Sequence, residues 1–487
     1  MMEEKCNSSG DKAVCGVNNE RLRVHFVMPP AKKPVDREYG CNYAFFMQHN
    51  VVILEIATLL RDNGFKVEIT DCPVDKVPLR EINPAEVYVF YSVYLTKDID
   101  LKAAEYLDTQ SQHIIFIGPD PTWSPKKYLL KENWFVVRGE PDFSLLDLLK
   151  NIKKQRDIKN VSYITKDKKV VNNPSRELTD LNKLPIPDRT LLKNPYKYTN
   201  SQLHNYPVTT MQTSRGCAYR CYYCVPNSLS YARELDWKKT HQRKPPVGLY
   251  PVKRILEEFA EINKLGYKGI KIIDDQLLWN KERSLEIFRG IKDFGLEIAC
   301  LARADHLLDR EVIEAMAEAG VKYVDIGIES FNQEILDYIQ KDVKVETFYK
   351  AIKNLRDFGI EPEINVLIAS CPLETKETIK ETLEKTKQLD VEVIHVKACA
   401  PFPGTEFHKL AIKNKWITTD DYIAHDASKE TYTNYPHLPQ EYIEKVVKRT
   451  YNKHYFSPKF LFGELMKVRS AKELRDKAKT AYTILKR

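Results

Sequence analysis

The chain reads as an α/β protein in three parts: a doubly wound parallel sheet of flavodoxin-like type, a partial (β/α)6 TIM-like barrel, and a C-terminal helical extension. Two observations predict this. Five apolar strand-like runs alternate with helical periodicity between residues 21 and 155. Six further strand–helix units follow from Val208 to Cys399. A third observation sets the boundary, because residues 156–205 carry prolines at 185, 187 and 195, which hold a chain in extended or turn geometry. The expected layout is a disordered polar tail over 1–20, a first domain over 21–155, a connector over 156–205, the barrel over 206–410 and a helical region over 411–487.

The elements follow in order. RLRVHFVMPP, from Arg21, is a buried strand that ends at Pro29 and Pro30. In VVILEIATLLRDNG the apolar residues Val52, Ile53, Ile56, Leu59 and Leu60 fall at helical spacing, and Gly64 stops the helix. Strands follow at FKVEITD, 86–92, 113–118 and 134–139, with helices over 98–108 and 143–153. Parallel sheets take ligands beyond the carboxyl ends of their strands. The loops there hold Pro29, Ser92, Gly118, Pro119, Gly139 and Glu140. In the second series, strand 208–214 opens the barrel. Strands ending at Asp274-Asp275, Arg303 and Glu329 follow, then strands 360–370 and 391–399. Helices over 438–456 and 459–487 are expected to cap the barrel. Residues 225–251 read as a basic and aromatic insert, either a contact for a cofactor, substrate or acidic partner or a solvated loop.

Composition narrows the function classes. Among the 487 residues, 43% are hydrophobic, ample for real cores. No apolar run reaches membrane-spanning length, and residues 1–20 lack a signal-peptide core, so a cytoplasmic protein is expected. The net charge of +8 has no long basic run behind it. That suits an acidic partner and offers no specific nucleic-acid signature. Ten cysteines fit a reducing compartment.

Three of those cysteines, Cys217, Cys221 and Cys224, stand in TSRGCAYRCYYC with C-x3-C-x2-C spacing, which chance gives in on the order of a few chains per thousand. Three thiolates can hold one face of an iron–sulfur cube and leave the fourth iron open. A structural zinc site would need a fourth ligand, and His241, the nearest downstream candidate, has no paired spacing. The string, with Tyr223 just before the third cysteine, resembles the signature of the radical S-adenosylmethionine (SAM) superfamily. IGPDPT and VVRGEP in the first domain, and the strap DLNKLPIPDR, resemble its large class with a cobalamin-binding domain ahead of the barrel.

That resemblance implies a [4Fe-4S] cluster on the three cysteines and SAM on the open iron. One-electron cleavage of SAM would then give a 5′-deoxyadenosyl radical. It further implies SAM contacts from Asp274 and Asp275 to the ammonium, from Arg303 to the carboxylate and from Glu329 near the ribose or amino end. A last barrel turn at CAPFPGTEF is also similar. The stretch ASCPLET departs from the family's G-L-P-G-E-T. Cys371 and Cys399 near the barrel mouth read as buried thiols or radical quenchers. No D-x-H-x-x-G loop occurs, so cobalamin is expected base-off with no histidine on cobalt. The implied activity is methylation of an unactivated carbon, with an acidic ferredoxin or flavodoxin as electron donor and a peptide, lipid or tetrapyrrole as substrate. Ring closure, oxidation and carbon–carbon coupling are the alternatives on this scaffold. A tRNA methylthiotransferase would need three cysteines in the first domain, where the folded part has only Cys41 and Cys72. The intact cysteine loop argues against a non-catalytic cobalamin or redox sensor.

Overall fold

The structure, a computed structural model, describes residues 22–31, 46–108, 113–152, 157–200, 202–389, 391–419 and 431–466. The expected disordered tail over 1–20, Cys41 and the helical continuation past residue 466 lie outside these.

The first sheet is ordered by runs of apolar residues that bury on both faces, as parallel strands between helices must. Its strands are β1 (Arg23–Met28), β2 (Lys66–Asp71), β3 (Val87–Tyr91), β4 (His113–Ile117), β5 (Trp134–Val137), β6 (Val161–Ile164) and β7 (Val170–Asn172). Their order is β2-β1-β3-β4-β5-β6-β7, with the first five parallel. The parallel part is the 2-1-3-4-5 winding, whose strand order reverses between β1 and β3. Helix α1 (Val51–Asp62) begins at Asn50, whose side chain accepts from the Ile53 amide at 2.9 Å. It buries every residue from Val51 to Leu60, Glu55 included. Helices α2 (Lys97–Leu107), α3 (Pro119–Trp123) and α4 (Asp142–Lys150) complete the layers.

The connector does more than span. Its β6 and β7 add an antiparallel hairpin to the first sheet, because the sheet edge at β5 offers unpaired backbone groups to the chain leaving α4. Beyond it, DLNKLPIPDR runs through short 3-10 turns and buries Arg189 completely. Arg189 donates to the Thr209 hydroxyl (2.9 Å), the Thr210 carbonyl (2.8 Å) and Glu258 (2.7 Å), which fastens the strap to the barrel.

The second sheet holds six parallel strands in sequence order: β8 (Val208–Met211), β9 (Gly269–Ile272), β10 (Glu297–Ala302), β11 (Val321–Glu329), β12 (Glu361–Ile368) and β13 (Val393–Ala398). Helices return outside them, as the strand–helix alternation predicts. The insert at 225–251 is not a solvated loop. It contains helix α5 (Ser228–His241), capped by Asn227, and every residue from Ser228 to Asp236 is buried. This helix packs against α3 of the first sheet. At the far edge, the helix Gln440–Tyr455 covers β13, where Tyr455 donates to the Ile394 carbonyl at 3.0 Å. No helix among the described residues is long and apolar enough to cross a membrane.

Candidate active site

The cysteine loop leaves the carboxyl end of β8, where barrel folds place their chemistry. Asp274 lies just past β9 and holds the start of this loop. It accepts from the Thr213 amide (2.6 Å), the Thr213 hydroxyl (2.5 Å) and the Ser214 hydroxyl (2.6 Å). Asp275 accepts from the Asn227 amide at 2.6 Å, while its second oxygen is buried with no partner among the described residues. Burial raises both carboxyls to about 6. Asp274 is thus committed to the loop backbone and hydroxyls, and Asp275 keeps an acceptor unmet beside Cys217, to which it couples electrostatically.

Cys217, Cys221 and Cys224 are free and partly exposed. Burial lifts the thiol pKa of Cys217, and that of Cys224 much further, so a metal centre has to displace protons to bind. The one group of His and acidic or thiol ligands within 4.8 Å of one another, among the described residues, is Asp325, Glu363 and His395. Three cysteines on one loop suit a cube that keeps one iron open, where a structural zinc would take four protein ligands. Asp325, Glu363 and His395 lie within the strands, where Lys271 (2.8 Å from Asp325) and Gln202 (2.5 Å from Glu363) already satisfy the carboxylates.

Cations surround the loop. Lys244 donates to the Tyr219 carbonyl at 2.8 Å. Burial works against its charge, but Glu234 and the three cysteines outweigh it and raise its pKa. The Arg303 guanidinium lies 3.4 Å from the centre of the Tyr219 ring. It is oriented by Asp305 at 3.0 Å and by the Lys341 carbonyl at 2.8 Å. Glu329, at φ +65°, pairs with Lys341 at 3.0 Å. Tyr223 is close enough to Glu329, Cys221 and Cys224 to feel their charges, and with burial they raise its pKa far above that of a free phenol. The loop therefore brings Cys217, Cys221, Cys224, Tyr223, Asp275, Arg303 and Glu329 into one neighbourhood, with Asp274 directly behind. Cys371 and Cys399 are buried, and Cys399 feels Glu329 and Cys224.

The first-sheet residues are placed differently. Pro29 is buried at the end of β1. The Ser92 hydroxyl is committed to Asp100. Gly118 has φ +109°, and a side chain there would strike the Ser92 carbonyl, so this glycine serves backbone packing. Pro119 opens α3. A Cβ on Gly139 would lie 3.0 Å from that of Asp236 in α5. Glu140 does not face an open edge: it accepts from Arg215 (3.1 Å) and the Thr179 amide (2.8 Å) and forms an ion pair with Arg233 (3.2 Å). The small-residue loops are thus where the first sheet meets the barrel. Tyr94 in the β3 loop and Tyr231 in α5 both donate to the Pro403 carbonyl of the PFPGT turn.

Sequence reasoning missed Arg215 and Lys341, and read Arg233 and Lys244 only as members of the basic insert. Arg215 stood inside TSRGC, and a buried arginine two residues from a ligand is signal enough to ask for its partners.

The radical SAM superfamily model matches residues 211–386, the span from β8 into the helix Lys376–Gln388. An uncharacterized methyltransferase of Pyrococcus horikoshii is 25% identical over 468 residues, covering 91% of this chain and 95% of that protein. Among solved structures, the cobalamin-dependent SAM radical enzyme OxsB, with aqua-cobalamin and SAM bound, superposes with a TM-score of 0.71. It is 16% identical and the match covers 95% of this chain and 71% of OxsB. The radical SAM methyltransferase TsrM from Kitasatospora setae, with cobalamin and a [4Fe-4S] cluster, gives 0.62 at 17% identity, covering 82% and 76%. Both share the fold over most of this chain, 95% of it for OxsB and 82% for TsrM.

Proposed function

We propose that this chain, a radical SAM protein with the fold of the cobalamin-dependent members, transfers a methyl group to an unactivated carbon. When bound, the cluster with SAM supplies a 5′-deoxyadenosyl radical that takes hydrogen from the substrate, and methylcobalamin supplies the methyl group. The observation that carries the reading is the placement of Cys217, Cys221 and Cys224 together on a loop at the barrel's carboxyl end, beside Lys244, Arg303 and Lys341.

The protein's own groups have distinct tasks. The three thiolates hold the cluster. Arg303, held through Nε and Nη2 by Asp305 and the Lys341 carbonyl and stacked on Tyr219, keeps Nη1 as the donor for the SAM carboxylate. The unpartnered Asp275 oxygen is the acceptor available for the SAM ammonium. Asp274 positions the loop rather than the substrate. For cobalamin, the reading is base-off coordination without histidine. His25 is bonded to Thr70 at 2.8 Å and His49 to Thr209 at 2.6 Å. His113 begins β4, at the end of the sheet away from the loops. The electron donor in this reading is an acidic ferredoxin or flavodoxin, suited to a chain of net charge +8, and the compartment is the cytoplasm. The layout of first domain, connector, barrel and helical extension is carried over with β6 and β7 assigned to the first domain.

Anaerobic reconstitution tests the reading. The protein should take up about four irons and release 5′-deoxyadenosine from SAM under reductant. Ala at Cys217, Cys221 or Cys224 should abolish both. SAM cleavage retained in any of the three variants would reject the assignment.

A further inference from the structure

The residues just past the short helix Gln333–Tyr338 adopt an unusual backbone. Gln340 has φ +56° and Asp342 φ +52°, so two non-glycine residues in the left-handed region flank Lys341. Glu329, across from them at the end of β11, has φ +65°. L side chains adopt this region only where surrounding structure enforces it, and such residues cluster at functional sites.

The strained backbone achieves three things at once. The Ile339 carbonyl accepts from the Tyr222 amide at 3.2 Å, which fastens the segment between Cys221 and Cys224. The Lys341 carbonyl accepts from Arg303 at 2.8 Å. The Lys341 ammonium, only 9% exposed, meets the equally buried Glu329 carboxylate at 3.0 Å. Gly327 leaves the room for this pair, since a Cβ there would press on the Glu329 carboxylate and lie 2.8 Å from Lys341 Nζ. Besides Glu329, the Lys341 ammonium faces Cys221, which favours its charge, and Arg303, which opposes it, and Ile339 two residues earlier is tied to the cysteine loop itself.

We propose that Lys341 is a positioning residue that sets the reducibility of the cluster: its buried ammonium meets the negative charge added on reduction, and Glu329 holds and partly offsets that ammonium. This rests on the function proposed above. One electron from the acidic iron–sulfur or flavin donor enters the cluster, whose charge falls by one. No bond forms or breaks, and no proton moves, because Lys341 already carries its charge. Charges in a water-poor site act on each other far more strongly than in solvent, so removing either member of the pair has a signed effect.

The test is a reductive titration of reconstituted protein without SAM, followed by electron paramagnetic resonance of the reduced cluster. Lys341→Met should make the cluster harder to reduce, with the ratio of reduced to oxidised cluster at a fixed potential falling about tenfold, or ~59 mV for a one-electron couple. Glu329→Gln should shift the titration the other way. Lys341→Arg should stay near wild type, since it keeps the charge. A Lys341→Met protein that holds four irons and titrates like wild type would overturn the proposal. Where Lys341→Met holds no cluster, Glu329→Gln decides, and an unshifted titration there overturns it equally. Wild-type protein that takes up no cluster would instead reject the function proposed above.

Discussion

Arg215 joins the cysteine loop to the first domain, and its removal can be worked out atom by atom. Its guanidinium is fully buried and uses all five N–H donors: Nε to the Tyr250 hydroxyl (3.0 Å), Nη1 to Glu140 (3.1 Å) and Asp142 (2.8 Å), Nη2 to Glu55 (2.5 Å) and Asp142 (3.1 Å). In Arg215→Met, Glu55 keeps Arg254 at 2.6 Å and Tyr250 at 2.8 Å. Glu140 keeps Arg233 and the Thr179 amide. Asp142 keeps only the Thr179 hydroxyl at 3.2 Å and is left as a buried, nearly uncompensated carboxylate. Breaking a buried pair in this way costs about 3–5 kcal/mol. Chemical denaturation of the apo protein measures it, and iron uptake should fall in parallel because Cys217 follows two residues later. Arg215→Met combined with Asp142→Asn should regain about 1–3 kcal/mol, since the stranded charge is gone. If the single variant is as stable as wild type, or the second substitution recovers nothing, Asp142 is not the group that Arg215 compensates.

Other expectations are briefer. Arg303→Lys keeps the charge but loses the hold of Asp305, the stack on Tyr219 and the Nη1 donor they aim, so SAM should bind roughly tenfold more weakly to a cluster of unchanged spectrum, about 1.4 kcal/mol by calorimetry. Unchanged affinity would return Arg303 to a purely structural role. Burial raises the Asp274 and Asp275 carboxyls from an ordinary 3.8 to about 6. The folded state therefore holds these protons longer than the unfolded one, and stability falls as pH rises from ~4 through ~6, by roughly 3 kcal/mol per group. Asp274→Asn should flatten about half of that slope in thermal scans between pH 4 and 7, and an unaltered slope would contradict it. With cob(II)alamin loaded, electron paramagnetic resonance should lack nitrogen superhyperfine splitting on cobalt, as the base-off reading requires of a chain without a D-x-H-x-x-G loop. Such a splitting would refute the base-off reading.

What the sequence revealed and what it hid divide along a physical line. The strands were legible because β3, β4 and β5 are continuous apolar runs buried on both faces, a pattern that helices on both sides impose. The cysteine loop was legible because soft-ligand spacing is rare. Helix α5 was not. Its first nine residues are buried all around, between α3 and the barrel, so polar Ser228, Ser230, Arg233, Glu234 and Asp236 sit where a surface helix would show an apolar stripe. The same burial makes Gly139 and Glu140 resemble ligand-loop residues in sequence while they serve the contact with α5 and Arg215.

The ion network explains why one loop can serve two domains. Arg215 reaches α1 through Glu55 and α4 through Asp142, and Glu55 passes the connection to Arg254 in the barrel helix Val252–Lys264. Arg254 pairs with Glu258 at 3.2 Å, and Glu258 holds the strap residue Arg189 at 2.7 Å. First sheet, strap, barrel helix and cysteine loop are therefore members of one buried chain of charges. Each carboxylate in it is compensated by arginine from another part of the fold, so separating the domains would leave several charges unpaired in apolar surroundings. A rigid connection of this kind fixes the distance between the carboxyl edge of the first sheet and the cysteine loop. That distance is what a methyl group held on one side and a radical generated on the other would have to share.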